Sequence, residues 1–227
     1  MNGPFNDPAE RTAHLLPLAA PAVPLLSVEG LTKAYAGGGA PILRDLSFQV
    51  RRGEFVSLVG PSGCGKTTLL TCLAGLQRAD KGTLTFRAQP VISPPAGSAV
   101  VFQDYSRSLL PWQRNLGNVV VGMRRRTDLT QRDKRTLATE LLAAVGLCGY
   151  EDHYPWQVSG GMQQRIAIAR ALASQPELLL LDEPLAAVDA QTRWELQDLL
   201  LQIAERFSQT CILVTHDVEE AIYLGSR

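Results

Sequence analysis

With 227 residues, 22 basic against 22 acidic side chains and a hydrophobic fraction of 45%, the chain can bury one sizeable core. It carries no net field that would hold it on nucleic acid through a broadly basic surface. No uninterrupted apolar run reaches the roughly 18–20 residues of a membrane span, so any work at a membrane would require docking.

The stretch from residue 1 to about 24 is rich in Pro and Ala and lacks a basic segment followed by an apolar one, so a loosely ordered tail is expected. From Leu25, LLSVEGLTKAY reads as a strand, Gly37 to Gly39 as a turn, and LRDLSFQV as a second strand with Leu46, Phe48 and Val50 on one face. An antiparallel β layer is therefore predicted. Tyr35, at the end of the first strand, has two readings: a platform for a planar base, or an aromatic packed at a strand end.

GEFVSLVG then reads as a buried strand, and TTLLTCLAGL has apolar residues at helical spacing. Between them lies GPSGCGKTT, Gly60 to Thr68, which matches the phosphate-cradling pattern G-x-x-x-x-G-K-[ST] position for position. Glycines let successive N–H groups point at phosphate oxygens, and the helix end adds a positive partial charge. Gly60, Pro61, Ser62, Gly63, Cys64, Gly65, Lys66, Thr67 and Thr68 are thus the candidate nucleotide contacts. Lys66 would hold the β and γ phosphates, and the Thr67 hydroxyl would ligate Mg²⁺. Cys64 lies inside this loop; with Cys72, Cys148 and Cys211 it forms no C-x-x-C pair, and all four read as free thiols of a reducing compartment.

KGTLTFRAQPV reads as another strand, and SAVVFQ as a short buried one ending at Gln103. From Asp104 to about Ala173 the patterns are helical, in SLLPWQRNLGNVVVGM, DLTQRDKRTLATELLAAVGL and SGGMQQRIAIARALAS, as expected of an α-helical insert. The parallel core resumes with PELLLLDEP, whose four leucines fit a strand covered on both faces. AQTRWELQDLLLQIAERF places Leu196, Leu199, Leu200, Ile203 and Phe207 on one stripe. TCILVTHD is one more buried strand, and DVEEAIYL begins a helix.

Asp182 and Glu183 fall at the carboxyl edge of the leucine strand, where ligands bind in open α/β sheets. An aspartate there can hold Mg²⁺ through hard oxygen ligands, and the adjacent glutamate could polarise an attacking water. Gln103 and His216 end two other core strands on what should be the same edge. Gln103 could touch Mg²⁺ or the water, and His216 could hydrogen-bond a γ-phosphate.

In order, Tyr35, GPSGCGKTT, Gln103, VSGGMQQR, LLLLDEP, Asp189 and His216 resemble the ATPase subunit of an ABC transporter, from about Leu26 to the end. SGGMQQR, Ser159 to Arg165, is the most specific element. The resemblance implies an α/β P-loop NTPase with a mixed parallel core sheet, an N-terminal antiparallel β layer and an inserted α-helical subdomain. The expected boundaries are 25–103 for the β layer and phosphate-loop core, 104–174 for the helical subdomain and 175–227 for the rest of the core.

It also implies an Mg²⁺-dependent ATP hydrolase that forms a head-to-tail dimer, each ATP lying between the phosphate loop of one copy and the signature of the other. By this resemblance Tyr35 is the adenine platform, and Ser159, Gly160 and Gly161 a second helix end on the γ-phosphate. Gln103 senses Mg²⁺ and the transport partner, Glu183 is the general base, Asp189 the contact across the dimer and His216 the γ-phosphate sensor, while Thr67, Gln103 and Asp182 serve the metal. The implied partners are transmembrane permease subunits and a solute-binding protein, with no nucleic acid, at the cytoplasmic face of the inner membrane.

VFQDYSRSLLPWQRNLGNVVVG is similar to the ATPases of nitrate, sulfonate and taurine importers, which suggests a small anion as solute. By that similarity Leu109, Leu110 and Trp112 line the groove that receives the permease, the alternative being that Trp112 is ordinary subdomain core. Arg124, Arg125 and Arg126 either face anionic lipid or are a solvated face. Trp156, Val158 and LAAVD depart from the family's usual residues without removing a catalytic group. The chain stops at Arg227, soon after His216, where relatives continue, so the expectation is either an incomplete sequence or a missing packing layer. Two other readings remain at this point: a soluble ATPase of the same type acting on DNA or ribosomes, and a nucleotide-binding module that no longer turns over.

Overall fold

The structure is a computed structural model and describes residues 23–35, 40–104, 108–186 and 188–226. The predicted tail, except for its last two residues, and the Gly37–Gly39 turn lie outside the described residues.

Two four-stranded sheets carry the described fold, and their pairing chemistry is separate. Strands β1 (Leu26–Lys33), β2 (Leu43–Val50), β4 (Lys81–Phe86) and β5 (Gln89–Pro90) form an antiparallel sheet in the order β2-β1-β4-β5. Strands β3 (Phe55–Val59), β6 (Ser98–Val101), β7 (Leu178–Asp182) and β8 (Thr210–Thr215) form a sheet in the order β3-β8-β7-β6, parallel at every pairing. The mixed character of the fold therefore lies between its two sheets.

The predicted strand KGTLTFRAQPV is in fact a hairpin, β4 and β5 joined by Arg87 and Ala88. Both residues are left-handed, at φ 51° and 57°. Two left-handed central residues give the turn whose twist suits adjoining strands, but Arg-Ala offers none of the Asn or Gly that normally signals it.

The four leucines of β7 show why the parallel sheet sits where it does. All are fully buried, and successive side chains point to opposite faces. Leu179 and Leu181 join a cluster with Ile166, Leu142, Leu196 and Leu200 on the helical side. Leu178 and Leu180 join Leu70, Leu73, Leu26 and Val50 on the side of the antiparallel layer.

Helices α2 (Asn115–Gly122), α3 (Gln131–Ala144) and α4 (Gly160–Ala173) occupy the chain between β6 and β7. They share one apolar cluster with a face of the parallel sheet. Thr130 and Asp133 close a reciprocal capping box at the start of α3. Helix α5 (Ala190–Arg206) buries Leu196, Leu199, Leu200 and Ile203, whereas Phe207, predicted on the same stripe, follows the helix and is 43% exposed. Helix α6 (Val218–Leu224) starts at Asp217, whose side chain accepts from the N–H groups of Glu219 and Glu220.

Parallel register brings four strand ends to one edge. Val59 is level with Thr215, Asp182 with Val214, and Val101 with Leu181. The chain leaving that edge carries Gly60, His216, Glu183 and Gln103.

Candidate nucleotide site

Helix α1 (Lys66–Leu73) begins at this edge without a side-chain cap. Its N-cap is Gly65 at φ 102°, a left-handed conformation suited to glycine, and a Cβ there would sit 2.6 Å from Ile42 Cγ2. An uncapped helix start leaves N–H donors and the positive end of the helix dipole unopposed, which suits an anion. The opening is a cavity of about 330 Å³ lined by Ser62, Gly63, Lys66, Thr67, Gln103 and Glu183, among others. Ile42 lines it too; sequence reading passed over it because an aliphatic residue just before β2 carries no chemical signal.

Lys66 folds back over the loop, its Nζ donating to the carbonyls of Gly60 (2.7 Å) and Pro61 (3.1 Å) and lying 3.4 Å from Glu183 Oε1. The Thr67 hydroxyl donates to Asp182 Oδ1 at 3.2 Å. Asp182 is buried, and loss of solvent pushes its carboxyl above its ordinary pKa, a shift that the Thr67 hydrogen bond opposes. A threonine hydroxyl on a buried carboxyl group beside an uncapped helix start is a hard-oxygen donor set of the kind Mg²⁺ takes. Among the described residues no cluster of three or more His, Cys, Asp or Glu could hold a metal alone. A cation here would need the phosphates as further ligands.

Glu183 is the meeting point of the edge. Its backbone is left-handed at φ 43°, unusual for a residue with a side chain and worth about 1–3 kcal/mol of strain. Its N–H is tied to the Val214 carbonyl at 2.8 Å. Its carboxylate contacts His216 Nδ1 at 3.2 Å and Gln103 Nε2 at 3.5 Å, the outer limit of a hydrogen bond. Gln103 itself lies two residues beyond β6 and is exposed, so the strand predicted to end there stops earlier.

The Tyr35 hydroxyl bridges Thr68 Oγ1 (3.1 Å) and Gln77 Oε1 (3.3 Å) while the residue stays 48% exposed. Its ring is therefore held beside the loop, not packed in the core. Gln77 was invisible to sequence reading because only its tertiary contact gives it meaning.

The signature residues lie elsewhere. Ser159 caps α4, its Oγ accepting from Met162 N at 3.3 Å, and Asp189 caps α5, accepting from Thr192 N at 3.0 Å and from the Thr192 hydroxyl at 2.7 Å. These two bonds hold the Asp189 carboxyl below its ordinary pKa. A Cβ on Gly161 would meet Thr192 Cγ2 at 2.6 Å, so the two helix starts are in close contact. Ser159, Gly160, Gly161 and Asp189 do not line the phosphate-loop cavity.

Leu109 is 2% exposed and belongs to the core, so it cannot line a docking groove, whereas Trp112 is 70% exposed and is not subdomain core. Arg126 is paired with Asp128, which is held at about 2 by that contact.

Comparison with known proteins accords with this geometry. The family profile described as ABC transporter matches residues 43–186. The chain is 46% identical over 203 residues to the taurine import ATP-binding protein TauB of Yersinia pestis bv. Antiqua, covering 89% of this chain and 78% of that protein. It is 46% identical over 193 residues to the nitrate import ATP-binding protein NrtC of Synechococcus elongatus, covering 84% of this chain and 29% of that longer protein. Among solved structures, the dimeric ATP-binding cassette MJ0796 in a post-hydrolysis state bound to ADP and Pi superposes with a TM-score of 0.77 at 31% identity, over 87% of this chain and 90% of that one.

Proposed function

The chain belongs to the ABC transporter family as an ATP-binding subunit whose ATP hydrolysis is coupled to transport, and we propose that it powers import of a small anion such as nitrate, a sulfonate or taurine. The observation that carries the site assignment is the convergence of Lys66, Glu183, Gln103 and His216 at one sheet edge beside an uncapped helix start. The importer relatives speak against a DNA- or ribosome-acting ATPase. The intact pair Glu183 and His216 speaks against a module that no longer turns over.

In this reading ATP lies along the loop from Gly60 to Thr68, its adenine on the Tyr35 ring. Lys66 leaves the Gly60 and Pro61 carbonyls for the β and γ phosphates. Thr67, Asp182 and Gln103 would hold Mg²⁺, which neutralises phosphate charge when bound. Glu183 accepts a proton from the attacking water as the water oxygen bonds to the γ-phosphorus and ADP leaves, and His216 steadies the γ-phosphate and the Glu183 carboxylate. Ser159, Gly160, Gly161 and Asp189 serve the ATP of a second copy, since they do not line their own chain's cavity. Permease subunits, with a solute-binding protein in the complex, are the partners, and exposed Trp112 beside Leu110 is the contact we assign to the permease. Among the described residues no helix is long and apolar enough to cross a membrane; we place the subunit peripherally, at the cytoplasmic face of the inner membrane.

The test is ATP hydrolysis by the subunit assembled with its permease. Activity should require Mg²⁺, and Glu183→Gln should lower kcat by about 10²–10⁴ while ATP still binds. Hydrolysis unaffected by that change would remove Glu183 from its role.

A further inference from the structure

Tyr35 lies two residues beyond β1 and is half exposed, so neither strand pairing nor burial fixes its ring. An aromatic in that place turns freely unless polar contacts hold it. Ordering such a side chain only when a ligand arrives would weaken binding by about two- to tenfold, and holding it in advance avoids that loss.

The segment that follows α1 supplies the contacts. The Tyr35 hydroxyl donates to Gln77 Oε1 at 3.3 Å, and with its one proton so committed, the Thr68 hydroxyl donates to the Tyr35 oxygen at 3.1 Å. Three residues on from Gln77, Asp80 grips the chain just before Tyr35. Its Oδ2 accepts from the Ala34 N–H at 2.7 Å, its Oδ1 from Lys33 Nζ at 3.0 Å, and its own N–H donates to the Thr32 carbonyl at 2.9 Å. The Ala34 N–H and Lys33 hold the Asp80 carboxyl below its ordinary pKa, so it stays an acceptor at neutral pH. Gln77 is in turn anchored on α1: the N–H groups of Leu76 and Gln77 both donate to the Thr71 carbonyl, at 2.9 and 3.2 Å, and the Thr71 hydroxyl donates to the Thr68 carbonyl at 2.9 Å. The ring is thus tied to the helix whose start carries Lys66 and Thr67.

We propose that Gln77 and Asp80 are positioning residues for the base of the nucleotide: together they clasp Tyr35 at a set offset from the phosphate loop, so that base and phosphates are received by one connected piece of structure. The inference rests on the reading that adenine lies on the Tyr35 ring. It adds that the Tyr35 hydroxyl, and not the ring alone, contributes to affinity for ATP, and that two residues outside the phosphate-loop cavity set that affinity.

The test is steady-state ATP hydrolysis by the full chain assembled with its permease, with inorganic tripolyphosphate, which has phosphates but no base, as a competing inhibitor. Gln77→Leu should raise KM for ATP by about three- to tenfold, leave kcat within about twofold, and leave inhibition by tripolyphosphate unchanged. A merely structural fault would weaken both ligands together. Tyr35→Phe should resemble Gln77→Leu, and the double variant should be no worse than Tyr35→Phe alone, because both changes delete one bond. Asp80→Ala should move KM in the same direction; if it does not fold, Gln77→Leu decides. Tyr35→Ala, which removes the ring, should raise KM by at least about tenfold. An unchanged KM in Gln77→Leu beside a raised one in Tyr35→Ala, or tripolyphosphate weakened in step with ATP, overturns the clasp and leaves the platform standing. An unchanged KM in Tyr35→Ala removes the platform and the clasp with it.

Discussion

Two helix starts in this chain carry glycine-rich turns, and they are finished in opposite ways. Helix α1 begins at Gly65 with no side chain on its N–H groups and a cavity in front of it. Helix α4 begins at Ser159, which caps its own helix, and its next turn is pressed against Thr192 of α5. The first end keeps its donors for a ligand and surrounds them with Lys66, Thr67, Asp182 and Glu183. The second spends its cap on its own helix, and the acid nearest in the fold, Asp189, is bound to Thr192. A helix terminus thus becomes a complete anion site only when the chain both withholds the cap and supplies the surrounding chemistry. The signature end has neither, which fits a surface that completes a site on another copy.

This contrast can be broken from either side. The largest effect should come at the open end. Lys66→Ala removes the only lysine or arginine among the described residues that line that cavity, and ATP hydrolysis in the assembled transporter should fall by about 10²–10³, as for loss of one preorganised electrostatic group. At the closed end, Gly161→Ala puts a methyl where Thr192 Cγ2 stands. A loss of about 1–3 kcal/mol is expected in urea denaturation. Thr192→Ser, which deletes that methyl but keeps the hydroxyl on Asp189, should recover most of it. A smaller effect belongs to the cap, where Ser159→Ala should cost about 1 kcal/mol in the same assay. If it costs nothing, the α4 end is no better satisfied than the α1 end and the contrast fails.

The fourth prediction concerns the stability of the open end itself. Because burial raises the Asp182 pKa in the folded chain, its folded value exceeds its unfolded one. The stability lent by protonation is then full below the unfolded value and is lost as pH rises through the folded value. Asp182→Asn should therefore raise the urea midpoint of the ligand-free protein at neutral pH. The gain should vanish below about pH 4, and nucleotide affinity should lose its dependence on Mg²⁺. A lower midpoint at neutral pH would show that the ionised carboxylate is well accommodated without a cation.

Much of the site was legible in the sequence because its chemistry is written at fixed spacing. GPSGCGKTT, the acids after LLLL and the SGG turn each declare themselves within nine residues or fewer, since a strand-to-helix turn and a helix cap are local devices. The burial of Leu109 against the exposure of Trp112, three residues on, was not legible. Neither was the Arg87–Ala88 turn, where tertiary pairing overrides weak local preference.

The sequence by itself determined which groups are present and in what order: an anion-binding loop, a metal acid, a candidate base, a histidine and a second helix start. Tertiary structure alone decided that Glu183 turns left-handed to meet His216 across 33 residues and Lys66 across more than a hundred, and that Tyr35 is tied to Gln77. It also separated the signature from the loop it resembles. The reason is physical. Spacing along a chain fixes periodicity and caps, whereas parallel register and the close contact of helix ends arise only when distant segments are packed together.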